Sequence, residues 1–323
     1  MIDAKQISTE VEKLFSTIEF TREPAGLYDP LRYMISIGGK RIRPTLCLTA
    51  CGLFSDELPV QVYDCAAALE VFHTFTLIHD DIMDRSSLRR GVPTVWKKWN
   101  EDTAILSGDV MLIDAYKRIA KAPASCHAAV VELFSKTAAE VCEGQQYDME
   151  FENRSDVTMA EYEQMIGLKT AVLLACSAKI GALVASARPE YCDAIYEYGY
   201  QLGMAFQVAD DYLDAYGDEK VFGKPIGGDI INGKKSWLTI RALQKTGDAS
   251  AFLKTFEAES STPEQSRDKI AAVKRLYDEL GVADDARAEI RRYSDLAIEA
   301  VRDLPCDIAP LREFSEKLIG RAK

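Results

Sequence analysis

The 323-residue chain carries 39 Lys and Arg against 51 Asp and Glu, a net charge of −12. This balance argues against a nucleic-acid partner, and any anionic ligand must be met by a local concentration of cations. The 47% of apolar residues can build a large core, and eight cysteines without CxxC or zinc spacing read as small buried hydrophobes in a reducing compartment.

In chain order, Thr9-x-x-Glu12 has the form of a capping box opening a first helix that carries Val11, Phe15, Ile18 and Phe20. Beyond Pro24 the helical pattern resumes over Leu31 to Ile37 and runs into Gly38-Gly39-Lys40-Arg41-Ile42-Arg43-Pro44. Three cations in four residues after a glycine pair suit either a helix C-cap or a phosphate clamp. Val60 to Arg90 contains neither Gly nor Pro and spells a largely buried helix through Ala66, Leu69, Phe72, Phe75, Thr76 and Ile78, with His73 on it. Near its C-terminal end stand Asp80, Asp81 and Asp84, where the macrodipole disfavours further negative charge. Asp80 and Asp84 share one face a turn apart, a spacing that repels unless a cation is shared. Arg89-Arg90-Gly91 follows at once.

Further buried helices are expected from Gly108 to Ile119 and from Val130 to Met149, the second ending in Glu143-Gly144-Gln145-Gln146-Tyr147-Asp148. Tyr162 to Ala185 reads as one helix, almost wholly apolar after Lys169-Thr170. A lysine entering such a helix must find an anion or reach solvent. Phe206-Gln207 leads to a second acidic motif, Asp210-Asp211-x-x-Asp214, on a helix where Gly199 and Gly203 permit close packing. Gly217 to Lys235 holds five glycines, Pro225, Lys220, Lys224, Lys234 and Lys235, which predicts a lid over phosphates. From Trp237 onward amphipathic helices break near Pro263, Gly281 and Pro305 to Pro310, and Arg321-Ala322-Lys323 reads as a solvated tail. No period-two pattern persists and no linker, repeat, signal peptide or membrane span is expected. The reading is one all-α domain over 1–323, located in the cytoplasm.

These residues, in this order, resemble the short-chain trans-prenyl diphosphate synthases of the polyprenyl synthetase family. The match runs from Gly38-Gly39-Lys40-Arg41-Ile42-Arg43-Pro44 through His73, Asp80-Asp81-x-x-Asp84, Arg89-Arg90-Gly91, Lys169-Thr170, Phe206-Gln207 and Asp210-Asp211-x-x-Asp214 to Lys224 and Gly233-Lys234. The resemblance implies an all-α isoprenoid synthase fold with helices around a deep central cavity, a homodimer, and condensation of isopentenyl diphosphate with an allylic diphosphate. It implies that the two acidic motifs face each other and hold Mg²⁺, three ions with bound diphosphate, for which Mn²⁺ can substitute. Asp80, Asp84 and Asp210 are then direct ligands, while Asp81 and Asp214 ligate or orient metal-bound water. By the same resemblance Arg89, Lys169, Lys224 and Lys234 complete the allylic diphosphate pocket. Lys40, Arg43, His73 and Arg90 grip isopentenyl diphosphate. The Thr170 hydroxyl, the Gln207 amide oxygen and the main-chain carbonyl of Lys169 face the allylic cation, and released diphosphate takes the final proton.

Counting back from Asp80, Phe75 lies about 7.5 Å and Phe72 about 12 Å along the helix axis. The resemblance makes these offsets the floor of the product cavity. Phe75 followed by the smaller Thr76 resembles C20 enzymes, while Phe72 shortens the pocket, so a C15 to C20 product is expected, geranylgeranyl diphosphate ahead of farnesyl diphosphate. Two other readings share these residues. A terpene cyclase would leave the basic cluster at 40–43 without purpose and usually carries a mixed second motif. A non-catalytic subunit of a heteromeric synthase would often lack motif aspartates, and here all six are present.

Overall fold

A computed structural model describes residues 3–217 and 226–320. Lys220 and Lys224, with the C-terminal tail from 321, lie outside the described residues, so the lid reading applies here only to its second half. The chain forms two compact units: Met1–Lys136, Cys176–Tyr196 and Asp303–Leu311 in the first, Thr137–Ala175, Glu197–Arg302 and Arg312–Lys323 in the second.

The first unit contains α1 (Ala4–Ser16), α2 (Ala25–Ser36), α3 (Ile42–Phe54), α4 (Val60–Met83), a hairpin of β1 (Leu88–Arg89) and β2 (Val92–Pro93), α5 (Val95–Lys98) and α6 (Glu101–Ile119). It also holds the start of α7 (His127–Glu152). The capping box of α1 is Asp3 with Gln6, not Thr9 with Glu12: Asp3 Oδ1 accepts from Gln6 N at 2.7 Å, and Gln6 Oε1 accepts from Asp3 N at 3.0 Å. Thr9 lies a turn inside, donating to Lys5 O at 3.0 Å.

α4 is the spine of this unit. Its run Cys65-Ala66-Ala67-Ala68-Leu69 is wholly buried, so the helix is apolar nearly all round, as a helix enclosed by neighbours must be. α6 packs along it, and Gly108 makes room for the His79 ring, whose Nε2 would lie 2.3 Å from a Cβ there. The hairpin pairs Leu88 with Pro93 and Arg89 with Val92. Its loop residues Arg90 and Gly91 both have positive φ (54° and 78°), the two-residue turn whose twist matches paired strands. Strands of two residues carry no readable alternation, so they add little to an all-α architecture.

In the second unit the expected single helix from Tyr162 is broken. α8 (Met159–Ile166) passes into one π-helical turn (Gly167–Ala171) before α9 (Val172–Val184) begins. α10 (Pro189–Tyr216) follows, and its glycines pack as expected: a Cβ on Gly199 would lie 2.7 Å from Ala175 Cα, and one on Gly203 2.5 Å from Ala171 Cα. Then come α11 (Gly228–Ile231), α12 (Trp237–Lys245), α13 (Ala249–Phe256), α14 (Pro263–Glu279), α15 (Val282–Ala300) and α16 (Ala309–Ile319). Pro263 opens α14 behind a Thr262–Gln265 capping box, and Gly281, at φ 66°, caps α15. The stretch Met159–Val184 is long and apolar enough to cross a membrane by length and composition, contrary to the expectation that no window would qualify. It is nonetheless 78% buried over its most apolar window, which is the environment of a core element.

Candidate active site

The first acidic motif occupies the last turn of α4. Asp80 is partly exposed, Asp84 is exposed at the helix C-cap, and the two lie one turn apart on one face. Asp81, about 100° round the helix, behaves differently. It is 1% exposed, and Arg89 grips both of its oxygens, Nε at 2.9 and 3.0 Å and Nη2 at 2.8 Å. The hairpin is what returns Arg89 to the helix, and the same guanidinium stands 3.7 Å from Asp80.

The second motif repeats this division. Asp210 is partly exposed on α10, whereas Asp211 is 4% exposed and accepts three hydrogen bonds. They come from Tyr162 Oη at 2.6 Å, the Trp237 backbone N–H at 2.8 Å and Gln207 Nε2 at 3.0 Å. Burial, and then the neighbouring Asp229 carboxylate, push the Asp211 carboxyl upward against these donors and Lys234. Asp214 is buried and accepts the Asp229 backbone N–H at 3.0 Å. In each motif the second aspartate is buried and held by fixed donors, while the first is left partly exposed.

Gln207 extends the second anchor. With Nε2 on Asp211, its Oε1 accepts from the Thr170 hydroxyl at 2.9 Å. Thr170 and Lys169 belong to the π turn, a conformation found disproportionately at functional sites. Gly144 of α7 lets that turn come close, since a Cβ there would lie 2.3 Å from Lys169 N. Lys169 Nζ pairs with Asp148 at 2.6 Å. Burial works against ionisation of Asp148, but Lys234 and Lys169 outweigh it and hold the carboxyl below its usual value. Lys169 thus meets the anion that its apolar surroundings demanded, and Lys234 stands close enough to act on both Asp148 and Asp211.

The basic residues of the first unit converge. The loop after α2 passes through Gly38 (φ 76°), Gly39 (φ 154°) and Arg41 (φ 47°). A Cβ on Gly39 would stand 2.9 Å from the Arg90 guanidinium, which donates to Gly38 O, so glycine admits Arg90 there. Arg41 is held by Glu70 Oε1 at 3.0 Å and Ile35 O at 2.9 Å, with its guanidinium 4.2 Å from the Phe15 ring centroid. Arg43 is 8% exposed, and its Nε is buried without a hydrogen-bond partner among the described residues. Burial pulls its pKa down to about 10, partly offset by Glu70. Burial, and then Arg43, Arg89, Arg90 and Arg41, drive His73 well below its ordinary pKa, so its imidazole is neutral. Lys40 is exposed on the same loop. A buried, unpartnered guanidinium nitrogen within such a cationic cluster is a site built for an anion.

Phe72 and Phe75, expected at a cavity floor, are buried members of an aromatic chain. His79 meets Phe75 at 4.8 Å between centroids, Phe75 meets Phe72 at 5.5 Å, Phe72 meets Phe134 at 5.3 Å, and Phe134 meets Tyr116 at 5.1 Å. Thr76 is partly exposed and donates to His73 O at 2.8 Å.

Sequence reasoning missed Glu70, Asp148, Tyr162, Phe134 and the anchoring role of Asp211. The buried-charge argument applied to Lys169 would have flagged Glu70, a carboxylate inside a run of buried apolar residues.

Among the described residues no three His, Cys, Asp or Glu side chains form a metal-holding group. Each motif offers at most a pair of outward carboxylates, which suits Mg²⁺, an ion that takes one or two carboxylates and completes its shell with water and phosphate oxygens. Hard carboxylate oxygen donors fit that ion.

Comparison with known proteins gives one answer. Residues 24–276 match the family described as polyprenyl synthetase. The geranylgeranyl diphosphate synthase of Saccharolobus solfataricus is 38% identical over 84% of this chain and 82% of its own length. A crystal structure of a geranylgeranyl pyrophosphate synthase superposes with a TM-score of 0.93 at 41% identity, covering 99% of both chains. The polyprenyl synthase of Caulobacter crescentus, solved with calcium and isoprenyl diphosphate, gives a TM-score of 0.86 at 27% identity over 99% of this chain and 94% of its own. With the family match spanning residues 24–276 and relatives such as that of Saccharolobus solfataricus 38% identical over 84% of its length, the chain belongs to the polyprenyl synthetase family.

Proposed function

We propose that the protein condenses isopentenyl diphosphate with an allylic diphosphate (dimethylallyl, geranyl or farnesyl) to give an all-trans C15 to C20 prenyl diphosphate, with geranylgeranyl diphosphate the favoured product. It acts as a homodimer in the cytoplasm. The observation that carries this reading is the shared design of the acidic motifs: in each, the second aspartate is anchored and the first is left accessible. The family match and the naming of the relatives support it.

Asp80 and Asp84 on α4 and Asp210 on α10 are the residues that would hold divalent cations, with Mg²⁺ the ion their oxygen donors fit. Bound there, such ions neutralise charge as diphosphate departs and act as Lewis acids. Arg89 holds both oxygens of Asp81 and presents its remaining edge toward the allylic diphosphate. Lys169 and Lys234, with Lys224 from outside the described residues, complete that pocket. Arg43, His73, Arg90 and Lys40 bind isopentenyl diphosphate. Because Gln207 Oε1 already accepts from Thr170, the lone pairs of the Thr170 hydroxyl are what face the developing allylic cation, giving it partial negative charge without a nucleophile that would trap it. Ile105, Leu106 and Ile113 on α6 are exposed at 40%, 57% and 53%, an apolar stripe that a second copy would cover.

The test is product analysis of the purified chain with isopentenyl diphosphate and C5, C10 and C15 starters, with and without Mg²⁺. A linear C15 to C20 diphosphate supports the proposal. Cyclised hydrocarbon, or turnover only with a second protein, overturns it.

A further inference from the structure

Residues 85–100 contain Arg85, Arg89, Arg90, Lys97 and Lys98 and no acidic residue, in a chain of net charge −12. Arg89 is committed to Asp81, and Arg85 pairs with Glu101 at 3.3 Å. Lys97 and Lys98 on α5 are exposed, and among the described residues neither forms an ion pair. Their ammonium groups lie instead over aromatic rings. Lys97 Nζ is 4.7 Å from the Trp96 centroid, and Lys98 Nζ is 4.8 Å from Tyr33 and 5.4 Å from Trp99.

These rings are fixed in place. Trp96 Nε1 donates to Ser86 O at 2.8 Å, Tyr33 Oη donates to Pro93 O at 2.6 Å, and Tyr33 meets Trp99 edge-on at 5.4 Å. On the same hairpin Leu88 is 63% exposed. The hairpin, α5 and Tyr33 thus carry two partly exposed indoles, a phenol, an exposed leucine whose strand partner Pro93 accepts from Tyr33, and two lysines without an ion pair among the described residues. None of the roles assigned above uses Leu88 or α5.

Amphipathic rings beside lysines are the side chains that settle at the headgroup level of a bilayer, with an exposed aliphatic group reaching below it. We propose that this patch docks the protein on an anionic membrane surface. Charge selects that occupant. A second copy meeting the patch face to face would set lysines against lysines. The net acidic charge of the molecule is repelled by an anionic surface, which favours approach through a patch of exposed lysines with no acidic residue among 85–100. The proposal stands apart from the reading of the reaction, because docking requires no turnover.

The test is flotation of the full chain with vesicles of phosphatidylcholine alone and of phosphatidylcholine with phosphatidylglycerol, at low and raised salt. Tryptophan fluorescence is read in parallel. Binding is expected only to the phosphatidylglycerol vesicles, with a blue shift, and should weaken as salt rises. Each lysine near such a surface contributes about five-fold, so Lys97→Gln/Lys98→Gln should lower partitioning by about 25-fold. Leu88→Ser should lower it by about ten-fold, since it removes most of one buried aliphatic side chain. Failure to bind phosphatidylglycerol vesicles, or equal binding by both variants, overturns the proposal. So does a change in molar mass by light scattering in either variant, which would make the patch an interface between copies.

Discussion

The pair Arg89–Asp81 makes a demand that can be measured apart from catalysis. Arg89→Ala removes the guanidinium that grips both oxygens of a carboxylate only 1% exposed. Removing one partner of a buried ion pair costs about 3–5 kcal/mol, because the remaining charge stays desolvated. Replacing both with apolar groups of similar volume avoids that penalty and is often close to neutral. Arg89→Ala should therefore lose about 3–5 kcal/mol of unfolding free energy in reversible urea titrations at fixed protein concentration. Arg89→Met/Asp81→Leu should recover most of that loss. Turnover should not recover with it, because Arg89 also stands beside Asp80 and its free edge is assigned to substrate. A single variant that unfolds at the wild-type midpoint, or a double variant as unstable as the single, would refute the anchoring argument.

Four further outcomes follow from the geometry. Asp80→Ala and Asp210→Ala should each lower kcat by about 10²–10³-fold or more with little change in thermal stability, as expected for groups that stabilise transition-state charge; near wild-type turnover in either would remove the metal assignment. Gly39→Ala should displace the Arg90 guanidinium and raise KM for isopentenyl diphosphate by about 10-fold or more, the value of one charge-assisted contact, leaving KM for the allylic substrate nearly unchanged. His73 should titrate well below an ordinary imidazole in a proton NMR series. Since its folded pKa is depressed, its contribution to stability is present above the unfolded value of about 6.5 and is lost as pH falls below it, while added inorganic diphosphate should move the resonance upward. Phe75→Ala, Phe72→Ala and Phe134→Ala should lengthen the product without loss of metal dependence, and an unchanged chain-length distribution in all three would place the floor elsewhere.

What the sequence made legible is what depends on spacing along one helix. Asp80 with Asp84, Gly199 with Gly203, and the breaks at Pro263 and Gly281 are all local patterns, and the structure keeps them. What stayed hidden depends on partners far away in the chain. Asp81 and Asp211 are chemically identical to their neighbours at 80 and 210, and only the return of Arg89 and the approach of Tyr162 and Trp237 separate the buried aspartate from the accessible one. Glu70 escaped notice because its partner Arg41 looked like part of a phosphate clamp. The first capping box was misplaced because Thr9 and Glu12 have the right identities, while Asp3 and Gln6, equally suitable, lie closer to the chain end.

The π turn at Gly167–Ala171 is a phase slip. One extra residue in a helix turns everything beyond it by about 100°, so α9 does not continue the face of α8 in register although the two run on without a gap. α9 is itself apolar and buried on nearly every side, which is why the stretch reads as apolar all round. The slip also sets what mutation can reach. Deleting one residue between 167 and 171 would restore a regular helix and swing Ala175 away from Gly199, where a Cβ would lie 2.7 Å from the Ala175 Cα. No substitution could compensate for that rotation. A paired insertion farther along could, so length changes in this helix should occur in compensating pairs.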